Sequence, residues 1–323
     1  MATVAVLDTT YPDLDIEHRV VDGHGIDVVR EDGASPEAIA RCRTADVIIA
    51  GSRARFDAET ISRLSAKAIV RAGIGVETVD LAAARTAGVI VCNVPDYGTE
   101  TVAQHALALA LAGSRRLIEA DRLVRDRAWG FRSIRPMHLP SSSTAGVLGL
   151  GRIGKRTAEL LAAVGFERVL GHDPFVSGAP DPIERVDLPE LLGRCDIVSI
   201  HIPGRSDGSA VIGADELAHM KPGSVLVNTA RGSLVDNRAL ADALRQGRPR
   251  IAALDVFDPE PPDLAEFAGI EHRLILTPHQ AWYTEESQAE LRRKSAEEAL
   301  RIISGQAPLN PVTVPDPFTP PAA

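Results

Sequence analysis

Short apolar runs alternate with helix-favouring stretches through the first hundred residues. TVAVLD (3–8), DVVRE (27–31), DVIIAG (46–51), AIVRAG (68–73) and VIVCN (89–93) read as strands. SPEAIARCR (35–43), DAETISRLS (57–65) and VDLAAARTAG (79–88) read as helices between them. That rhythm predicts a parallel, doubly wound sheet. From Thr99 the pattern changes to one long helix over 99–126, and a polar patch, PSSS, follows at 140–143. A second series then begins and runs through IVSIHI (197–202), SVLVNTA (224–230), the helix NRALADALRQG (237–247), AALDVF (252–257) and LILTPH (274–279). It ends in the helix EESQAELRRKSAEEALRIISG (285–305), which its symmetry with the helix at 100–120, together with a resemblance given below, leads us to expect back in the first domain. The simplest reading is an α/β chain of two doubly wound Rossmann-like domains with parallel sheets. Residues 1–98 with 283–323 are expected to form one domain and 99–282 the other. The tail from 308 to 323 is too rich in proline to continue a helix and is expected to be extended or disordered.

The second series opens with TAGVLGLGRIG (144–154), and nineteen residues after its last glycine stands Asp173. Strand, turn, helix, strand and acid form one unit. Gly149 permits a tight turn, Gly151 lets backbone approach a pyrophosphate, and Gly154 lets the helix pack closely. The helix N-terminus offers N–H groups to phosphate charge. Asp173, at the end of the strand 168–172, suits the two ribose hydroxyls of NAD and would repel a 2′-phosphate. The cofactor expected is therefore NAD.

Composition narrows the class. A length of 323 residues with 45% hydrophobic content allows two cores. The net charge of −9, with arginines scattered among acids, provides no basic stripe for nucleic acid or anionic membrane. Cys42, Cys92 and Cys195 are far apart and set in apolar surroundings, fitting neither a disulfide framework nor a zinc site, so no metal is expected. MATVAVLDTT lacks a basic leader, and no run reaches the length of a membrane span, which suggests a cytoplasmic protein.

Ligands sit at the carboxyl ends of strands in open parallel sheets. Arg71, Arg231, Asp255 with Glu260 beyond it, and His279 all follow predicted strands. Two guanidinium groups, carboxylates and an imidazole suit hydride transfer on a 2-oxo or 2-hydroxy acid. Arginine grips a carboxylate with two parallel hydrogen bonds. Histidine carries a proton near neutral pH, and a paired carboxylate, such as Glu260 beside His279, favours its charged form. Each residue also has a plainer role available. His279 could be a loop residue, Arg231 could pair with Asp236, Glu260 could be a solvated turn acid, and Arg71 could belong to a surface ion pair.

Over nearly its whole length the chain resembles the D-isomer-specific 2-hydroxyacid dehydrogenases. The matching segments are RAGIGVETVDL, CNVPDYGTETVAQHALAL, VLGLGRIG, GHDP, HIP, MKPGSVLVNTARGSLVD, AALDVFDPEP and TPHQAWYTEES. The resemblance implies that Arg231 orients the substrate carboxylate, Glu260 pairs with the catalytic histidine, and His279 is the general acid/base. It implies that Asp255 holds the nicotinamide carboxamide. Arg152 and Ile153 would lie at the pyrophosphate, Asp173 at the ribose, and Ile202, Pro203, Thr229 and Ala230 along the cofactor groove. The substrate carboxylate would meet the loop from Arg71 through Gly75 and Val76. HQAWY points toward the C-terminal-binding-protein and phosphoglycerate-dehydrogenase-like subgroup, in which Trp282 either lines the substrate pocket or packs at the domain junction.

The family also implies a homodimer, with the apolar helix after Thr99 and the segment around Trp129 as interface candidates. Cofactor and substrate would lie in the cleft between the two domains, and closure over it would hinge near 97–99 and after His279. Glu77, Thr78, Gly204 and Arg205 depart from the usual pattern, leaving substrate preference open. No further domain is expected after residue 310, which would set the chain apart from the long, feedback-controlled type. A small anionic substrate is expected. A phosphonate or phosphorylated substrate is the alternative among enzymes, and an NAD(H)-sensing interaction protein is the alternative outside them.

Overall fold

The computed structural model describes residues 1–9, 11–176, 183–205 and 207–312. The chain divides into two compact units: Met1–Gly98 with the segment from Thr284 onward, and Thr99–Tyr283. The first unit begins β1 (Ala2–Leu7), α1 (Asp15–Val21), β2 (Ile26–Glu31), α2 (Pro36–Arg41), β3 (Val47–Ala50), α3 (Ala58–Ser62), β4 (Ala68–Arg71), α4 (Leu81–Ala87) and β5 (Ile90–Asn93). Its strands form a five-stranded sheet in the order β2-β1-β3-β4-β5, with every pair parallel. Side chains of Asp57 and Asp80 cap α3 and α4 by accepting backbone N–H groups, which fixes where each crossover helix starts.

The second unit comprises α5 (Thr99–Ser114), α6 (Leu117–Arg125), β6 (Thr144–Leu148), α7 (Arg152–Ala163), β7 (Arg168–His172), β8 (Ile183–Arg185), α8 (Leu188–Arg194), β9 (Ile197–Ile200), α9 (Ala214–His219), β10 (Val225–Asn228), α10 (Asn237–Arg245), β11 (Ile251–Leu254) and β12 (Leu274–Leu276). Its seven strands run parallel in the order β12-β11-β10-β9-β6-β7-β8. Ala106, Leu109 and Ala110 of α5 pack with Val147, Leu161 and Val227 in one core layer, so this face of α5 is covered within the unit. Leu191, Leu226, Leu240 and Phe267 fill the opposite layer. Helix α11 (Glu285–Ile303) then returns to the first unit and packs on α1, β3 and β4.

The structure departs from the sequence reading in three places. The stretch 99–126 is two helices, broken where Arg116 adopts a left-handed conformation (φ 55°). There the guanidinium turns inward and donates to the Gly223 carbonyl at 3.1 Å, an interaction that a continuing helix would not permit. Helix α1 was not anticipated, because Pro12 and three aspartates make its sequence look like a loop. It is fixed from a distance by Arg292 of α11, which donates to Glu17 at 2.9 and 2.7 Å while lying 4.7 Å over the Tyr11 ring. The short β8, α8 and α9 were also unforeseen.

Residues at the start of the tail are extended beside β5: Val312 N–H donates to the Val91 carbonyl at 2.7 Å and Asn93 N–H to that of Asn310 at 3.2 Å. The rest of the expected tail, 313–323, lies outside the described residues. The three cysteines are free and buried, and burial pushes the Cys42 thiol up to about 11 and those of Cys92 and Cys195 to about 12. Among the described residues no helix is long and apolar enough to cross a membrane.

Candidate active site

The glycine turn joins β6 to α7. Gly149 has a φ of +94°, and a Cβ there would lie 2.6 Å from the His201 carbonyl oxygen, so only glycine fits. At Gly154 a Cβ would come within 1.9 Å of the Gly149 carbonyl. Gly151 is the opposite case, with nothing within 4 Å of its added carbon. It is the N-cap of the twelve-residue α7 and supplies no side-chain cap, which leaves the first-turn N–H groups to be met by a ligand or by water. Arg152 is exposed and Ile153 half-buried in that first turn.

Asp173 lies at the end of β7, buried, with one oxygen accepting the Leu150 N–H at 2.8 Å and the other that of Phe175 at 2.9 Å. Its carboxylate therefore sits against the turn itself. Ile202 is half-buried after β9, its Cγ2 2.7 Å from where a Gly149 Cβ would stand, and Pro203 is exposed. Thr229, beyond β10, is buried with a hydroxyl that has no hydrogen-bond partner. The open approach at Gly151, the uncapped helix, the acid at the turn and the orphaned hydroxyl together fit a dinucleotide.

Arg231, Asp255 and His279 follow the adjoining strands β10, β11 and β12, so hydrogen bonding of those strands gathers their loops. Arg231 is half-buried and donates from Nη1 to the Ala230 carbonyl at 2.7 Å, while Asn228 Nδ2 holds the Arg231 carbonyl at 2.8 Å. A Cβ on the next residue, Gly232, would lie 2.0 Å from the Phe257 carbonyl carbon, so the Arg231 loop runs against the segment that carries Glu260. Glu260 accepts the Phe257 N–H at 3.0 Å through Oε1 and meets His279 Nδ1 at 2.7 Å through Oε2. Both members of this pair are partly exposed, with side-chain values of 46% for His279 and 37% for Glu260, so solvent and a small ligand reach them. His279 is held in the left-handed region (φ 53°), an uncommon state for a residue other than glycine.

Asp255, expected at the nicotinamide carboxamide, has no exposed surface. Its oxygens accept the Thr277 hydroxyl at 2.5 Å and the Gln280 and Ala281 N–H groups at 2.9 Å each, and its backbone carbonyl accepts the His279 N–H at 2.7 Å. In this structure it anchors the loop that carries the histidine.

Arg71, Gly75 and Val76 belong to the first unit, at the carboxyl edge of its sheet. Arg71 is buried, and its Nη1 donates to the Ala72 carbonyl beneath a loop whose Gly73 approaches within 2.8 Å of that nitrogen (measured to an added Cβ). Asn93, opposite Arg71 in the ladder, donates from Nδ2 to the Ile74 carbonyl at 2.8 Å and fixes the loop leading to Gly75 and Val76. Trp282 is half-buried and stacks edge-on with Tyr283 at 5.6 Å.

Asn93, His105, Thr277 and His201 were not singled out from sequence. His201 backs the glycine turn, pairs through Nε2 with the Ser199 hydroxyl at 2.8 Å, and has its pKa lowered to about 3 because burial disfavours the charged ring. The recognisable signal for Asn93, His105 and Thr277 was their place inside the motifs CNVP, VAQHALAL and TPH. Among the described residues no group of three His, Cys, Asp or Glu side chains is arranged to hold a metal.

The profile of the D-isomer specific 2-hydroxyacid dehydrogenase NAD binding domain matches residues 107–281. The D-3-phosphoglycerate dehydrogenase of Mycobacterium bovis is 38% identical over 298 residues, covering 90% of this chain and 54% of that protein. The chain thus spans about half the length of such relatives. The glyoxylate reductase of Aeropyrum pernix is 34% identical over 282 residues, which is 84% of both chains. Among solved structures, the D-lactate dehydrogenase of Aquifex aeolicus, complexed with NAD and lactic acid, superposes with a TM-score of 0.83 at 25% identity, covering 97% of this chain and 100% of that one. The parallel α/β units, the glycine turn with its acid and these similarities lead to one conclusion: the chain belongs to the D-isomer specific 2-hydroxyacid dehydrogenase family, and its second unit carries the family's NAD-binding domain.

Proposed function

We propose that this protein interconverts a D-2-hydroxy acid and a 2-oxo acid with NAD. The observation that carries the reading is the His279–Glu260 contact of 2.7 Å, made between the loops that follow β12 and β11, with Arg231 following β10 on the other side of β11. Glu260 holds Nδ1, so Nε2 is the atom that gives a proton to the carbonyl oxygen during reduction and takes it back during oxidation. Arg231 grips the substrate carboxylate and fixes the direction of the adjacent carbonyl. In the first unit, Gly75 and Val76, on the loop after Arg71, offer backbone donors suited to a carboxylate. Gly151, Arg152 and Ile153 hold the pyrophosphate, Asp173 the ribose, and Ile202, Pro203, Thr229 and Ala230 the groove beside them. NAD(H), when bound, accepts or supplies the hydride at the carbinol or carbonyl carbon.

The glyoxylate reductase matches this chain at near-equal length, which supports a small 2-oxo acid. The phosphoglycerate dehydrogenase relatives support a phosphorylated hydroxy acid as the second reading. A homodimer accompanies the proposal: α6 buries none of its residues, and Leu117, Val124, Trp129, Phe131 and Leu139 all stand more than half exposed along it and the segment beyond.

Steady-state NADH oxidation against glyoxylate, hydroxypyruvate, pyruvate, branched 2-oxo acids and a phosphorylated oxo acid tests the reading. Turnover that falls steeply in Arg231→Ala, with a raised KM, is the expected result. Unchanged turnover in that variant removes the clamp.

A further inference from the structure

Beneath the His279 loop lies a second histidine that the proposed chemistry does not use. His105, on α5, has a side chain 20% exposed, and its Nε2 is 3.1 Å from the Thr277 hydroxyl and 3.7 Å from Asp255 Oδ1. Thr277 in turn is 2.5 Å from that same carboxylate oxygen. A hydroxyl has one proton, and a carboxylate can only accept. The Thr277 proton therefore points at Asp255, and the hydroxyl oxygen must accept from His105, whose Nε2 carries a hydrogen. The hydrogen bonds run in one direction, from His105 Nε2–H to Thr277 Oγ1 and from Thr277 Oγ1–H to Asp255 Oδ1.

The same carboxylate accepts the Gln280 and Ala281 N–H groups, and the Asp255 carbonyl accepts that of His279. Three consecutive amides, 279 to 281, are thus fastened to one fully buried residue while His279 is kept at φ 53°. A buried carboxylate is costly without full hydrogen bonding, and a left-handed histidine persists only where its surroundings over-determine it. We infer that His105 and Thr277 are positioning residues for proton transfer: their directed pair of hydrogen bonds orients Asp255, and Asp255 sets the backbone that aims His279 at the substrate.

This rests on His279 carrying the proton, and the test separates the two claims. Thr277→Val and His105→Leu remove the relay, whereas Thr277→Ser and His105→Gln keep a donor at each place. The first two are expected to lower kcat for oxo-acid reduction about 10- to 100-fold, the scale of a misaimed reacting group. NADH affinity should stay within about twofold, since only the transition state depends on the aim. The serine and glutamine variants should recover most of the lost rate. Independently of activity, hydrogen exchange at amides 279–281 should quicken in Thr277→Val while β10 and β11 keep their protection. Unchanged kcat with unchanged exchange overturns the proposal. So does a loss of rate matched by weaker NADH binding and faster exchange throughout the unit, which marks a purely structural role. If the parent protein has no turnover, or His279→Ala retains it, the proton-transfer reading falls, and exchange at 279–281 still decides whether the relay holds the loop.

Discussion

Each unit places one strained residue just beyond a strand of its parallel sheet, and the two are used differently. Asp8 follows β1 with φ 59°, and His279 lies three residues beyond β12 with φ 53°. The Asp8 side chain points inward: its carboxylate is 1% exposed, accepts the Arg53 N–H at 2.6 Å and that of Ala54 at 3.2 Å, and pairs with the Arg53 guanidinium at 2.5 Å. His279 points outward, nearly half exposed, and is steadied by a carboxylate from another loop. A left-handed residue after a strand is thus a way of turning a side chain through a sharp angle. Turned in, it ties down a neighbouring loop; turned out, it presents an imidazole to solvent. Side-chain direction separates anchoring from the proposed catalysis more sharply than residue type does, because both residues are polar, ionisable and placed beyond strand ends.

The largest effect should come from the outward residue. His279→Ala is expected to lower turnover by about 10³-fold, within the range for a lost general acid, with NADH binding and melting temperature little changed. A variant that turns over normally breaks the contrast at once. Next come two glycines of the fingerprint. Gly154→Ala drives a methyl into the Gly149 carbonyl and should destabilise the second unit by about 1–3 kcal/mol or more, read from denaturant midpoints. Gly151→Ala meets no atom of the protein, so it should fold normally and weaken NADH binding alone. Equal stabilities for the two variants would contradict the roles given to them.

At the inward residue, Asp8→Ala should cost about 1–3 kcal/mol from the donors it leaves unpaired. Its effect on the NADH dissociation constant should be negligible, since the residues proposed to bind NAD all belong to the other unit, which carries the NAD-binding domain. The smallest effect concerns His201. Its folded-state pKa, about 3, lies below the ordinary 6.5, so folding favours the neutral ring. That stabilisation is complete above pH 6.5 and is lost progressively as pH falls toward 3. Melting temperature should begin to decline between pH 6.5 and 5, above the range in which the lowered carboxylates take up protons. His201→Asn should flatten that early decline.

Much of the second unit could be read from sequence because its requirements fall on residue types. Gly149, Gly151 and Gly154 meet three different spatial demands, and Asp173, Arg231 and His279 each follow an apolar run. The break at Arg116 and the existence of α1 were hidden because a buried contact decides each one: the Gly223 carbonyl in the first case, and Arg292 across 275 positions of sequence in the second. The loop-anchoring bonds of Asp255 are not legible in sequence, because an acid after a strand looks the same whether it faces a pocket or the loop above it. His105 and Thr277 escaped notice because their significance is a hydrogen-bond direction between a helix and a loop, which no periodicity records.

The most direct measurement follows deuterium from NADH labelled at nicotinamide C4 into the product of each 2-oxo acid in the panel, by mass spectrometry and chiral separation. The account predicts label at C2 of a D-2-hydroxy acid with the parent protein and almost none with His279→Ala. Tight NADH binding with no label in any product, or equal labelling by the alanine variant, would contradict it.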